Sequence, residues 1–283
     1  MGVDATEVKR LQEIARRCRL SCLKILESSG VGHNGGSMSV IDILVALFFH
    51  AAKTNSSDPD WPERDRIILS KAHASEGMYA VLGEAGFFPK EKFDTYGTYG
   101  SSLQGHTDAW ATPGVEYSGG SLGQGLSFAI GIALGDRLRN ASSMSERSFN
   151  VYCILGDGEC QEGQVWEAAM SASTYELGNV VAIVDYNKYC TIGETNKVVR
   201  IEPFAEKWLA FGWSVAEVDG HDFPQLVRAL DATKSSTDDE TPKCIIANTV
   251  KGKGVPLWEE KHAHNSSGEI LTKGIEQGRR LLS

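Results

Sequence analysis

The chain lacks the sequence features of secreted, membrane-spanning and nucleic-acid-binding proteins. Its 6 cysteines show no C-x-x-C spacing and several lie in apolar runs, which favours reduced thiols in a cytoplasmic protein. No apolar run predicts a membrane span, and the N-terminus has no signal-peptide core. With 28 basic against 37 acidic residues, the formal net charge is -9, which disfavours nucleic acid and anionic membranes as partners. A bound anion would therefore need a metal ion or local donors.

What the chain does contain is a repeated alternation of strand and helix patterns. Its 283 residues, 41% of them hydrophobic, are enough to bury a sizeable core. The strand candidates are residues 66–70, 150–156, 180–186, 213–219 and 243–249. The helix candidates are residues 6–28, 39–52, 74–86, 119–135, 162–177, 203–212 and 223–234. This order predicts an α/β fold, a mostly parallel sheet with helices on both faces.

The domain organisation predicted from this pass is simple. Residues 1–265 form one domain, with Asn34, Gly35 and Gly36 breaking between its first two helices. Residues 235–241 form a surface loop rather than a boundary. The polar tail of residues 266–283 is expected to be poorly ordered.

Two polar side chains follow neighbouring strand candidates. Asp157 lies in a Gly-Asp-Gly turn directly after one strand, and Asn187 directly follows the next. Both should reach the carboxyl edge of a parallel sheet, where open α/β sheets bind ligands. One carboxylate, one amide oxygen and the backbone carbonyl of Tyr189 suit a hard cation such as Mg²⁺, while Gly156 and Gly158 let a bulky anion approach the backbone. A solvated loop can carry the same turn, so the turn alone is weak evidence.

The same residues carry a family resemblance. The sequence GDGECQEGQVWEA at residues 156–168, followed by Asn187, resembles the thiamine diphosphate motif in its transketolase form. The resemblance covers about residues 8–265. Further motifs follow the family's order, namely SSGVGHNGGSMS (28–39), ILSKAHASEGMYA (68–80), GHTD (105–108), SGGSLGQGLSFAIG (118–131) and NTVKGKG (248–254). This resemblance implies the diphosphate-binding fold of transketolases. It also implies thiamine diphosphate and a divalent cation, Mg²⁺, Ca²⁺ or Mn²⁺, as cofactors.

The resemblance changes the interpretation of the histidines. Composition alone favours ordinary loop histidines, because His33, His73 and His106 each lie in a break beside glycine, serine or alanine. The resemblance implies instead that His33 and His106 line the substrate channel and that His73 lies near the diphosphate. It places His264 between diphosphate and substrate, although His262 lies two residues away and the choice between them stays open.

The remaining histidines are predicted to be structural. His50 should pack or end a helix, and His221 should serve a turn and a helix N-cap.

The resemblance also assigns roles to a glycine-rich turn and an acidic side chain. Gly120, Ser121 and Leu122 match the segment whose backbone lies beside the aminopyrimidine ring, although a glycine-rich helix start would look the same. Glu162 matches a carboxylate that reaches across the subunit interface, although an acidic residue at a helix start is also favourable by itself. We therefore expect Glu162 to be an interface residue and a member of the cofactor and catalytic site.

The resemblance predicts a partner. Transketolases also use a pyrimidine-binding domain and a C-terminal domain, and only residues 255–283 follow the last family motif. We expect these domains on a separate subunit, in a heterotetramer that transfers a two-carbon ketol unit from a ketose phosphate to an aldose phosphate or a specialised acceptor. Cys190, Thr191, Ile192 and Ser121 depart from the family pattern and leave donor and acceptor open.

Two alternatives remain. The first alternative to a transketolase subunit is a subunit of another thiamine diphosphate enzyme, such as a dehydrogenase E1α-like or deoxyxylulose phosphate synthase-like protein. The second is a non-catalytic assembly partner. The GHNGG, KAHASEG and GECQEGQ strings favour transketolase over the former. Intact Asp157, Asn187, Glu162 and four matched histidines argue against the latter.

Overall fold

The computed structural model describes residues 3–141, 149–234, 240–262 and 264–283. The α-helices in these ranges are α1 (Ala5–Ser29), α2 (Asn34–Ala46), α3 (Ser75–Glu84), α4 (Gln124–Ala141), α5 (Gly163–Thr174), α6 (Thr195–Val198), α7 (Phe204–Ala210), α8 (Phe223–Thr233), α9 (Pro256–Lys261) and α10 (Gly268–Leu282). The strands are β1 (Val31–Gly32), β2 (Arg66–Leu69), β3 (Val151–Gly156), β4 (Val180–Tyr186), β5 (Ser214–Asp219), β6 (Lys243–Asn248) and β7 (Ser266–Ser267). The predicted α/β fold is confirmed.

The central sheet has the strand order β2-β3-β4-β6-β5, and every neighbouring pair is parallel. Strands β3 and β4 are buried along their whole length, as expected for runs of apolar residues covered on both faces. Alternate residues point to opposite faces. Ile154 and Ile183 pack with α1, α2, α3 and α8, whereas Cys153 and Ala182 pack with α4, α5 and α7. The sheet is therefore the middle layer of three.

Helix α2 begins earlier than the sequence predicts. Asn34, Gly35 and Gly36 form its first turn instead of a break, and all three are buried. A π-helical turn, Leu47–Ala51, continues it. The segment Asn34–Ala51 is long and apolar enough to cross a membrane, with a mean hydropathy of 1.3 over 18 residues. The prediction that no apolar run has the length and composition of a membrane span is therefore wrong. In the structure, 89% of this segment is buried inside the protein, as expected for a core helix of an α/β fold.

The C-terminal residues are ordered, contrary to expectation. Strand β7 pairs antiparallel with β1, and α10 packs on α1 through the buried residues Leu271 and Ile275. The tail was misread because its apolar residues are few but fall on one face of a helix. The division of the chain at residue 265 stays a prediction, and most of the predicted loop 235–241 lies outside the described residues. The antiparallel β1–β7 pair brings His33, which directly follows β1, close to His264, which lies two residues before β7.

Candidate active site

A cavity of about 230 Å³ opens at the carboxyl edge of the sheet. Elements that follow β2, β3, β4 and β6 all contribute to its wall, as parallel strands that end at one edge require. The wall contains the following predicted site residues: His73, Leu122, Gly156, Asp157, Gly158, Glu162, Asn187, Tyr189 and His264. These residues, which lie far apart in the sequence, therefore share one cavity.

Asp157 and Asn187 lie one residue beyond the ends of the paired strands β3 and β4. The Thr195 hydroxyl donates to Oδ2 of Asp157 at 2.8 Å, and the amide of Asn187 donates to Oγ of Ser39 at 3.3 Å. Burial raises the pKa of Asp157, although the Thr195 bond opposes this shift. No ion pair joins this carboxylate to a basic side chain in the described ranges, so its negative charge lacks a direct counter-ion.

The carbonyl oxygen of Tyr189 has a partner that the sequence pattern does not reveal. Lys251 donates to it at 2.9 Å and to the carbonyl of Cys190 at 3.2 Å. Burial, together with the nearby Lys71 ammonium, lowers the pKa of Lys251 to about 8. A carbonyl oxygen has two lone pairs, so Tyr189 can accept from Lys251 and still contact a cation. Across the described residues, no three His, Cys, Asp or Glu side chains converge as a metal site.

A buried ion pair below the cavity was missed. Lys71 and Asp185, 1% and 0% exposed, are in direct contact, and Asp185 also accepts from the hydroxyls of Ser39, at 2.6 Å, and Thr249. Lys71 reaches the cavity wall and contacts the carbonyl of Gly36 at 3.3 Å. One signal was available in the sequence, an aspartate inside the otherwise apolar strand β4.

Glu159 was missed as well. Its buried carboxylate accepts from the N–H groups of Gly123, at 2.9 Å, and Gly156, at 3.0 Å, and from the hydroxyl of Ser70. It therefore ties the Gly-Asp-Gly turn to the glycine-rich turn before α4.

Four predicted histidines form one cluster beside the cavity. The ring of His33 lies 5.5 Å from those of His73, His106 and His264, measured between centroids, and His73 lies 5.0 Å from His264. The Nδ1 atom of His33 is buried and has no hydrogen-bond partner. His106 is exposed and the other three are half-buried. Three separate loops and the β1–β7 pair bring these rings together.

Burial governs the charge of this cluster. It lowers the pKa of His33, moves that of His73 well below the usual value, and lowers that of His264 to about 4. Lys251 and His33 add to the shift at His264, and Lys71 adds to it at His73. These three imidazoles are therefore neutral near pH 7, the form that can accept a proton or donate a hydrogen bond.

The structure separates His264 from its neighbour. His262 lies outside the cluster, with its ring stacked on that of Tyr189 at 3.8 Å between centroids. His264 lines the cavity.

The two histidines predicted to be structural make polar contacts away from the cavity. His50 contacts Glu7 and Asp231 at 3.3 and 3.1 Å. The N-cap of α8 is Asp222, so the capping role predicted for His221 is wrong. His221 contacts Asp42 at 2.7 Å and accepts the N–H of Val250 at 2.9 Å.

The glycine-rich turn lies against Glu162 beside the cavity. Gly120 and Ser121 are exposed, and a Cβ atom added at Gly120 would meet no atom of the chain within 4 Å. Leu122 and Glu162 line the cavity, and Glu162 is an exposed residue at the start of α5. These surfaces are open to a ligand or a second chain, but their assigned roles stay predictions.

Comparison with known protein families matches residues 11–281 to the family described as "Transketolase, thiamine diphosphate binding domain". The 6-deoxy-6-sulfo-D-fructose transketolase subunit SqwG of Clostridium sp. (strain MSTE9) is 42% identical over 256 residues, which cover 90% of each chain. A chain named as one subunit of the apulose-4-phosphate transketolase of Phocaeicola vulgatus is 35% identical over 253 residues, covering 89% of this chain and 87% of the relative.

Solved structures agree with the sequence comparisons. The transketolase of Campylobacter jejuni superposes with a TM-score of 0.86 at 31% identity. The match covers 96% of this chain and 43% of that transketolase. The chain thus spans less than half the length of that enzyme but most of the two relatives named as subunits.

Proposed function

Because the chain belongs to the family of transketolase thiamine diphosphate-binding domains, we propose that it is the cofactor-binding subunit of a two-subunit ketol transferase. The enzyme would transfer a two-carbon ketol unit from a ketose donor to an aldose acceptor. The observation that carries the proposal is the single cavity in which Asp157, Asn187 and Lys251 meet the histidine cluster.

The residues at one end of the cavity fit a diphosphate and a divalent cation. Asp157 is 1% exposed and has no ion-pair partner in the described part of the chain, so a cation would balance its buried charge. Asp157, Asn187 and the carbonyl of Tyr189 would hold Mg²⁺. Lys251 and His73, with Gly156 and Gly158, would hold the diphosphate.

The histidine cluster fits the other half of the reaction. Bound thiamine diphosphate supplies the electron sink for cleavage of a carbon–carbon bond in the ketose. His33 and His106 would remove the proton from the donor hydroxyl and return it to the product, because an imidazole accepts a proton when neutral and releases it again as the imidazolium. His264, between the two ends, would donate a hydrogen bond to the developing alkoxide. Burial of His33 and His264 favours these neutral forms.

We propose that a separate subunit supplies the pyrimidine-binding and C-terminal domains. The similarity to two chains of comparable length that are named as transketolase subunits supports this arrangement. The exposed residues Gly120, Ser121 and Glu162 would face that subunit, in a heterotetramer in the cytoplasm.

The donor is proposed to be a ketose with an anionic group. The names of the relatives specify a sulfonated deoxyfructose and apulose 4-phosphate, two different carbon skeletons that share a negative charge.

Products of the assembled complex test this function. The chain would be copurified with its pyrimidine-domain partner, loaded with thiamine diphosphate and Mg²⁺, and given an anionic ketose with an aldose phosphate acceptor. The panel of donors would contain 6-deoxy-6-sulfofructose, apulose 4-phosphate, fructose 6-phosphate and xylulose 5-phosphate. Mass spectrometry should find an acceptor lengthened by two carbons. Release of carbon dioxide from 2-oxo acids instead would support the E1α-like alternative, and a cofactor-loaded complex inert to both would support an assembly role.

A further inference from the structure

A carboxylate lies buried directly behind the histidine cluster. Glu76, in the first turn of α3, is 0% exposed. Its Oε1 atom accepts the backbone N–H of His33 at 2.8 Å and the hydroxyl of Tyr96 at 2.9 Å, and its Oε2 atom accepts the hydroxyl of Ser37 at 2.6 Å. No Lys, Arg or His side chain of the described ranges forms an ion pair with it. Three converging donors are the pattern expected around an ionised carboxylate.

Two glycines show that this contact is closely packed. A Cβ atom at Gly32 would lie 2.3 Å from Oε1 of Glu76, and one at Gly77 would lie 2.5 Å from the backbone oxygen of Ser37. A larger residue at Gly77 would push α3 away from the backbone of Ser37, and one at Gly32 would displace the side chains of Glu76 and Leu26. The backbone is therefore fitted to the carboxylate.

The same helix also holds the loop of His106. The hydroxyl of Ser75 donates to the carbonyl of Gly105 at 3.0 Å and lies 3.2 Å from the hydroxyl of Tyr96. The hydroxyl of Tyr79 donates to the carbonyl of His106 itself at 3.3 Å. One buried network thus joins the backbones of both histidines that are predicted to act on the substrate.

We propose that Glu76 is a positioning residue that fixes His33 relative to His106 and places a negative charge beside it. This inference rests on the proposed function for its catalytic consequence. The hydrogen bond supports the positioning role, because removing the carboxylate would leave the buried N–H of His33 unpaired.

The negative charge of Glu76 also affects the basicity of His33. Burial lowers the pKa of His33, and the charge of Glu76 opposes that shift. The other titratable groups that face His33 are His73, His106 and His264, of which His106 lowers its pKa further. Glu76 is the one anion in this set, so its loss should make His33 a weaker base.

The test compares Glu76→Gln with Tyr96→Phe in the assembled complex. Glutamine keeps the shape and an acceptor for the N–H of His33 but removes the charge, whereas phenylalanine removes one donor and leaves the charge. We expect kcat of the glutamine variant to fall on the order of tenfold, with unchanged affinity for thiamine diphosphate. The phenylalanine variant should lose less. In a His33→Ala background, Glu76→Gln should cause no further loss.

A second readout does not depend on turnover. NMR titration of the ring-labelled histidines in the chain should show a lower pKa for His33 in Glu76→Gln and a nearly unchanged one in Tyr96→Phe. An unchanged His33 titration, or an equal loss of kcat in both backgrounds, overturns the proposal. If the complex transfers no ketol unit but the His33 pKa still falls, the proposed function fails and the coupling of Glu76 to His33 stands.

Discussion

The two ends of the cavity are built in different ways. The proposed diphosphate end stands on strand termini, where charged groups such as Asp157, Asp185 and Lys71 are buried among hydrogen-bond donors. The proposed substrate end stands on loops, where the imidazoles of His33 and His73 are kept neutral by burial and by neighbouring positive charge. The first arrangement suits an anionic ligand bound together with a cation, and the second suits uncharged groups that exchange protons.

The comparison implies that removing a charge at the diphosphate end should have the largest effect. Asp157→Ala removes the only carboxylate proposed to hold the cation, so affinity for thiamine diphosphate should fall by roughly a hundredfold or more. Calorimetry on the assembled complex measures this, with the exposed residue Asp58→Ala as a matched control. Affinity that is unchanged by the substitution and by EDTA would refute the metal assignment.

The buried ion pair at the same end should contribute to stability. Asp185→Asn leaves the ammonium of Lys71 without its counter-ion in a site that is 1% exposed, which should cost about 3–5 kcal/mol in the free energy of unfolding. Urea denaturation measures the loss. The double variant Lys71→Met with Asp185→Leu should recover part of it, because no buried charge is then left unpaired. Equal losses in the single and double variants would show that the pair is not the cause.

At the other end, loss of an imidazole should affect turnover but not folding. His33→Ala or His106→Ala should lower kcat by roughly a hundredfold, the usual contribution of a general acid or base. The melting temperature should change little, because both residues precede or interrupt regular elements rather than fill the core. His50→Ala is the matched control, since that histidine lies outside the cavity. A large fall in melting temperature with normal activity of the folded fraction would make the two histidines structural.

Acid should weaken the fold modestly through the histidine end. The pKa of His264 is about 4 in the folded chain and about 6.5 in an unfolded one, so between these values only the unfolded chain binds a proton here. Stability from this group is present above about pH 6.5 and falls as the pH drops towards 4. Urea midpoints at about pH 7.5 and 5.5 should therefore fall less in His264→Gln than in the parent chain. The same acid loss in both proteins would mean that other groups are responsible.

The two ends also differ in how far sequence alone predicts them. Buried strands such as β3 and β4 are continuous apolar runs, so their ends, and hence Asp157 and Asn187, could be placed on one edge. The pairing of Lys71 with Asp185 could not be predicted, because their contact depends on how β2 and β4 lie in the sheet.

The histidine end needed the family resemblance. Local patterns at His33 and His264 resemble ordinary loops, and the two meet only because β1 pairs with β7, a contact between the two ends of the chain. Helix α10 was misread for a related reason, since its stability comes from packing on α1 rather than from its own composition.

Turnover by the purified chain with and without its partner tests the central claim most directly. The chain would be supplied with Mg²⁺, thiamine diphosphate, a donor accepted by the complex and an aldose phosphate, and the partner subunit would then be added stepwise. We predict no ketol transfer by the chain alone, and activity that rises with partner until the two are equimolar. Full turnover by the chain alone, with the partner excluded by mass spectrometry, would contradict the claim that its cavity is completed by a second subunit.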